Sequence, residues 1–257
     1  MRISSVAAEP YVVLDEDDYV VLGPEQFGSP GLTAIESVGP FVAVEALGPL
    51  ITVHDSRIEA HMGIGHHPHR HNERIFYIME GELDHDDAKN GIKGHVDKGD
   101  VALFTEGQQG MLHSEWNNGD LPMHTYILVY TTDPIPEQTA FTALKDREAP
   151  RYDEGPGVLT KELVGPRSPL AVHGDIRLFT DSEVTNGGSL GVELKEREGG
   201  LVSVQEGSAT LNGEEVRHGM TVLFPPMAEA RTFRFEAPNR ARILRAVTGP
   251  GYGFRYR

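Results

Sequence analysis

Apolar and polar positions alternate along this chain in short runs, and no run keeps a 3.6-residue period for long. Arg74–Met79 (RIFYIM), Val101–Phe104 (VALF), Met123–Tyr130 (MHTYILVY), Leu190–Lys195 (LGVELK), Leu201–Gln205 (LVSVQ) and Thr221–Phe224 (TVLF) are filled with β-branched and aromatic residues. Short runs of that composition, bounded by Gly, Pro, Asn or Asp, read as strands. The 29 Gly and 17 Pro supply the turns that many short strands need. One segment reads differently. Asp133–Tyr152 is flanked by prolines, and a short helix is predicted around Gln138–Arg147, within a connection between two units.

An internal repeat carries more information than any single strand. Tyr77–Glu82 (YIMEGE) continues to Gly99-Asp100 and the apolar run ending in Phe104; Val202–Ser208 (VSVQEGS) continues to Gly219 and the run ending in Phe224. Each copy gives a strand, a Glu-Gly turn, an excursion, a Gly turn and an apolar strand. Asn212-Gly213 marks a tight hairpin in the second excursion. Two tandem all-β units follow, one over residues 1–135 and one over 136–257, a length that suits two domains.

Charge narrows the partners. A formal net charge of −16 repels phosphate backbones and anionic lipid, so direct nucleic-acid binding and a hold on membranes are not expected. There is no cysteine, which removes disulfides, thiolate metal sites and Cys nucleophiles together and suits a reducing compartment. The first nineteen residues do not read as a signal peptide, and no apolar run approaches the roughly 18 residues of a membrane helix. The expected location is the cytoplasm.

Histidine supplies the candidate chemistry. Of 12 histidines, ten lie between His54 and His124, and Gly65–His71 reads GHHPHRH. Side chains alternate faces along a strand, so His67 and His69 project one way, with His71 joining them if the strand persists. His113-Ser114-Glu115 repeats the spacing with an imidazole and a carboxylate. Two such strands facing across a small barrel would bring four ligands to one ion. Three imidazoles and a carboxylate suit Fe(II), Mn, Ni, Co, Cu or Zn, and ligand chemistry does not choose among them.

His67-Pro68-His69-Arg70, Glu73, Tyr77–Glu82, Gly99-Asp100-Val101 and His113-Ser114-Glu115 together resemble the pirin family of bicupins. The resemblance implies two tandem cupin-type, jelly-roll-like β-barrels with few short helices, an all-β class. It implies a nonhaem Fe(II) held in the first barrel by His67, His69, His113 and Glu115. Some family members resemble quercetin 2,3-dioxygenases, which open flavonols with O2, implying a small aromatic substrate here. Others are described as transcription coregulators or redox-responsive modules that bind a protein partner, the alternative reading. The pattern departs from the family at His71 and Asn72, where pirins carry Gly and an aromatic. It departs again at Leu103–Gly110 (LFTEGQQG), where they usually read WMTAGRG.

For catalysis, Glu115 is the expected proton acceptor, with Glu73 or His71 as alternatives. Glu73 reads first as a buried acceptor that orients a ligand imidazole. Phe76, Ile78, Leu103, Met111 and Leu112 are candidates for keeping water out. Asp84-His85-Asp86-Asp87 reads as a charged hairpin tip, and Trp116 as a core residue facing away from the ion. Aligning the second copy puts Glu193 and Lys195 at the places of His67 and His69, and Phe233 and Phe235, or Thr232 and Arg234 allowing for a shorter spacing, near those of His113 and Glu115. No metal set results there.

Overall fold

The computed structural model describes residues 10–257 and is nearly all β; residues 1–9, part of the stretch that bears on a signal peptide, lie outside the described residues. Four layers follow one another. The outermost on the first-half side is a four-stranded sheet of Met62–His69, Met111–Asn117, Glu82–Asp87 and Ile92–Asp97, in that order. It packs on a larger sheet built around Asn72–Glu80, Val101–Thr105, Met123–Thr131 and Leu50–Ile58. That sheet in turn packs on one from the second half, centred on Ile176–Thr185, Gly199–Leu211 and Arg240–Thr248. Ser189–Leu194 and Arg231–Glu236 pair with each other and close the far side.

Strands sandwiched between two layers bury both faces, and Asn72–Glu80 is such a strand. Phe76 and Ile78 join Phe104, Met111 and Leu83 in the core under the four-stranded sheet. Ile75, Tyr77 and Met79 point the other way, into a core shared with Leu163, Phe179, Leu201 and Leu244 of the second half. This alternation decides which neighbours along the strand can reach the histidine cluster.

Strand pairing crosses residue 135 repeatedly. Ala140–Leu144 pairs with Val101–Thr105, Val12–Leu14 with Thr221–Leu223, and Phe254–Tyr256 with the Val44–Leu47 strand. The predicted helix around Gln138–Arg147 is therefore a strand followed by a single 3-10 turn, Asp146–Glu148. An open sheet edge at Val101–Thr105 pairs its backbone with this segment, and that pairing overrides a weak local preference. Between the halves, the Tyr77 hydroxyl donates to Asp181 at 2.6 Å and Lys161 Nζ donates to the Gly99 carbonyl at 2.5 Å.

In the second half Thr232 stands opposite Glu193, the register of the shorter-spaced alignment. Val192 sits opposite Phe233 and Leu190 opposite Phe235, all four buried, while Glu193 and Lys195 face solvent. The inward positions there are apolar.

Candidate metal centre

Met62–His69 and Met111–Asn117 are hydrogen-bonded neighbours within one sheet, not strands facing each other across a barrel as expected. His113 lies directly opposite His67, and directly opposed side chains share a face. The rings of His67, His69 and His113 converge, with centroids 4.6 to 5.1 Å apart. One ligating nitrogen from each lies within 4.8 Å of the others. Glu115 stands beside two of these rings. Its Oε2 stands 3.8 Å from His67 Nε2 and its Oε1 3.8 Å from His113 Nε2. Such separations exceed hydrogen-bond reach, yet one ion with bonds of about 2.0–2.2 Å spans them.

Two of the three rings are arranged as an ion would require. His67 Nδ1 donates to the Gly65 carbonyl at 2.8 Å, which leaves the Nε2 lone pair free. His113 is fully buried, and its Nε2, like that of the neighbouring His85, has no hydrogen-bond partner among the described residues; a buried nitrogen of this kind ordinarily has one, and for His113 an ion would serve. Burial first, then the neighbouring His67 and Arg74, pushes the His113 imidazole down to about 3. Burial and the adjoining Arg74 guanidinium push His69 down to about 2. Neutral rings of this kind are the ligating form.

His69 has a further partner. The Arg74 guanidinium lies 2.6 Å from His69 Nδ1, and a guanidinium only donates, so Nδ1 accepts. Coordination through the opposite nitrogen of His69 requires Arg74 to turn away. Glu106, fully buried, already holds Arg74 Nε at 2.6 Å and accepts the Asn72 amide at 2.9 Å.

The other expected site residues fall differently. Glu73 stands on the opposite face of its strand from Arg74. It meets an imidazole, but that of His173 rather than a ligand's. Its Oε1 accepts from Thr105 Oγ1 (2.8 Å) and His173 Nδ1 (2.6 Å), and its Oε2 from the His173 and Gly174 amides at 2.8 and 3.3 Å. The strand carrying His67 and His69 ends at His69, so His71 does not continue its face. His71 occupies the turn that follows, exposed and with φ of +82°. Of the proposed water-excluding residues, Phe76, Ile78 and Met111 line the core under the site, Leu103 faces the second half, and Leu112 is exposed. Trp116 faces away from the cluster as expected but is exposed, not core.

Asp84–Asp87 is no hairpin tip. Glu82–Asp87 is a strand in which Leu83, His85 and Asp87 are buried and alternate with more exposed Glu82, Asp84 and Asp86. His85, missed as a site residue, packs against His113 and stacks on Phe141 at 5.0 Å and 15°. Burial and the neighbouring His113 lower it to about 4. The period-two pattern Leu83-His85-Asp87 was the available signal. Arg74 and Glu106 were missed as well; Glu106 stands where the WMTAGRG pattern has its Ala.

Residues 24–128 match the family model for pirin. A quercetin 2,3-dioxygenase of Escherichia coli is 31% identical over 172 residues, 64% of this chain and 68% of that protein. This chain belongs to the pirin family. Pirin-1 of Arabidopsis thaliana is 32% identical over 124 residues, covering 46% of this chain and 41% of that one. The pirin fold extends over nearly the whole chain. GK1651 of Geobacillus kaustophilus superposes on 93% of it, and on 95% of its own length, with a TM-score of 0.79 at 20% identity. The E. coli pirin YhhW, solved in complex with nickel(II), covers 90% of it and 99% of its own length with a TM-score of 0.71 at 18% identity. Among the described residues, no helix is long and apolar enough to cross a membrane.

Proposed function

We propose that this pirin is a metal-dependent dioxygenase of the quercetin 2,3-dioxygenase type, joining O2 to a flavonol-like or other phenolic substrate. Its ion, Fe(II) in this reading, is held by His67, His69, His113 and Glu115. The observation that carries the proposal is the convergence of three imidazoles, with the Glu115 carboxylate 3.8 Å from two of them. The named activity of the E. coli relative and the nickel(II) bound by YhhW support it.

When bound, the ion would supply a Lewis-acidic centre that polarises a hydroxyl–carbonyl pair of the substrate and supports its reaction with O2. The protein contributes the rest. The His67 ring is oriented by the Gly65 carbonyl, and the buried His113 is fixed by close packing with His85 and Phe104. Glu115 has one oxygen toward each of these two rings and is the group placed to take a substrate hydroxyl proton at its carboxylate. Phe76, Phe104 and Met111 form the dry floor beneath the site. The second half, with apolar inward positions at Val192, Leu194, Phe233 and Phe235, acts as a packing wall in this reading.

The test is elemental analysis of protein purified without oxygen, then O2 uptake across a panel of flavonols and catechols, with His67→Ala as control. About one metal per chain and uptake that disappears in the variant are expected. Iron-loaded protein that consumes no O2 with any of these phenols refutes the activity.

A further inference from the structure

We infer that His85 is a positioning residue that fixes the tautomer of His113 and so aims the His113 Nε2 lone pair at the ion. The inference rests on the metal-site reading above and deepens it. Four observations meet at this ring. His85 lies on Glu82–Asp87, which pairs with the His113 strand and sets His85 directly opposite Glu115. His113 Nδ1 and His85 Nδ1 are 3.4 Å apart, the one side-chain hydrogen bond recorded for His113. Both rings are almost wholly buried, so water does not substitute for the partner. His85 cannot swing away, because Phe141 stacks on one face and Phe104 meets it at 4.8 Å.

Two neutral imidazoles joined through their Nδ1 atoms have one donor and one acceptor. Only one assignment suits coordination. His113 Nδ1–H donates to His85 Nδ1, and His113 Nε2 keeps its lone pair. The reverse assignment puts the His113 proton on Nε2, where an ion must bind. Metal-bound histidines usually have this duty served by a carboxylate, a backbone carbonyl or water. Here the nearby carboxylate, Asp87, is occupied by the amides of Leu112, Lys89 and Asn90 and by the Asn90 side chain.

The experiment uses full-length protein and two variants. His85→Phe fills the niche between Phe104 and Phe141 but offers no acceptor. His85→Asn loses the ring but carries Oδ1 where Nδ1 stood. Nitrogen-15 NMR of metal-free protein, with His113 assigned by its loss in His113→Gln, reads the tautomer directly. Competition with a chelator for Ni(II) reads affinity.

Wild type should hold the Nδ1–H form of His113. His85→Phe should populate the Nε2–H form and bind Ni(II) about 10- to 100-fold more weakly. His85→Asn should recover the Nδ1–H form and most of the affinity. An Nε2–H tautomer in wild type overturns the inference, and so does His85→Phe with unchanged tautomer and affinity. Equal weakening by Phe and Asn also overturns it, because packing alone would then explain the loss. If wild type takes up no Ni(II), the metal-site reading fails, and the tautomer in metal-free protein still decides the role of His85.

Discussion

Replacing Glu73 separates a structural carboxylate from a chemical one. Its side chain is fully buried and receives four hydrogen bonds: the Thr105 hydroxyl, the His173 ring, and the amides of His173 and Gly174. Glu73→Leu strips the acceptor from the buried Thr105 hydroxyl and from two amides on a segment where His173 is exposed and Gly174 half-buried. A buried group left unsatisfied costs about 1–3 kcal/mol, and the amides, which water can reach in part, add less. We expect a loss of about 3 kcal/mol. At roughly 2–4 °C per kcal/mol for a chain of this size, the melting temperature should fall by about 6–12 °C. Glu73→Gln should be far milder, near 1 kcal/mol. Its amide oxygen still faces the two backbone N–H groups, while its NH2 meets the Thr105 hydroxyl and the His173 ring, both of which can turn from donor to acceptor. Thermal melts and metal analysis of both variants check this. Bound metal per folded chain should match wild type in Glu73→Gln. If that variant melts normally but loses its metal or its O2 uptake, Glu73 belongs to the chemistry and the structural assignment is wrong.

Three further outcomes are expected. Arg74→Thr combined with Glu106→Ala removes the guanidinium that occupies His69 and the buried carboxylate that holds it. A charged hydrogen bond of about 1.5–3 kcal/mol no longer competes with coordination, so Ni(II) should bind about tenfold tighter or more, and unchanged or weaker binding contradicts the competition. In the metal-free protein, His85 near 4 and His113 near 3 stay neutral while unfolded imidazoles protonate below about 6.5. The unfolded chain then binds more protons, so stability falls as pH drops from 6.5 toward 4, by about 2 kcal/mol per ring at pH 5. His69, near 2, adds a third such ring, so His85→Phe should remove about a third of the loss in urea titrations, and an unaltered pH profile would count against it. His71→Gly should stabilise the chain by up to about 1 kcal/mol, because His71 is exposed at φ +82° and left-handed backbone is costly for a residue with a Cβ. A lower melting temperature would show that its ring makes a contact worth more than the strain.

The strands were legible because their apolar runs are bounded by turn residues, and His67 and His113 were legible because spacing on a strand is spacing on a face. What failed has one physical origin. Alternation says which residues share a side, and it does not say what lies on that side. Asn72–Glu80 is buried on both faces, so nothing in RIFYIM distinguishes the face toward the imidazoles from the face toward the second half, and Glu73 was placed on the wrong one. His85 was hidden for the opposite reason, since three acidic neighbours made a half-buried strand look like a solvated tip. Whether two His-bearing strands adjoin or oppose each other is set by sheet order, which long-range packing decides.

The register between the two histidine strands explains how their rings converge. His113 faces His67, but Glu115 faces Ile64 rather than Gly65, so Met62–His69 carries one extra residue between these pairs. A bulge of this kind bends its strand and re-aims side chains. Here it also turns the Gly65 carbonyl onto His67 Nδ1 while His66 remains exposed. The carbonyl gives His67 the proton arrangement that coordination needs, and His85 is placed to give it to His113. His69 alone has a donor against its Nδ1, and that donor, Arg74, is tied to Glu106, an acid at a position where the family pattern has Ala. In the proposed metal site two rings are thus preset for an ion and the third is held by a cation. Metal uptake in this chain should therefore be governed by the Arg74–His69 contact more than by the geometry of the other ligands.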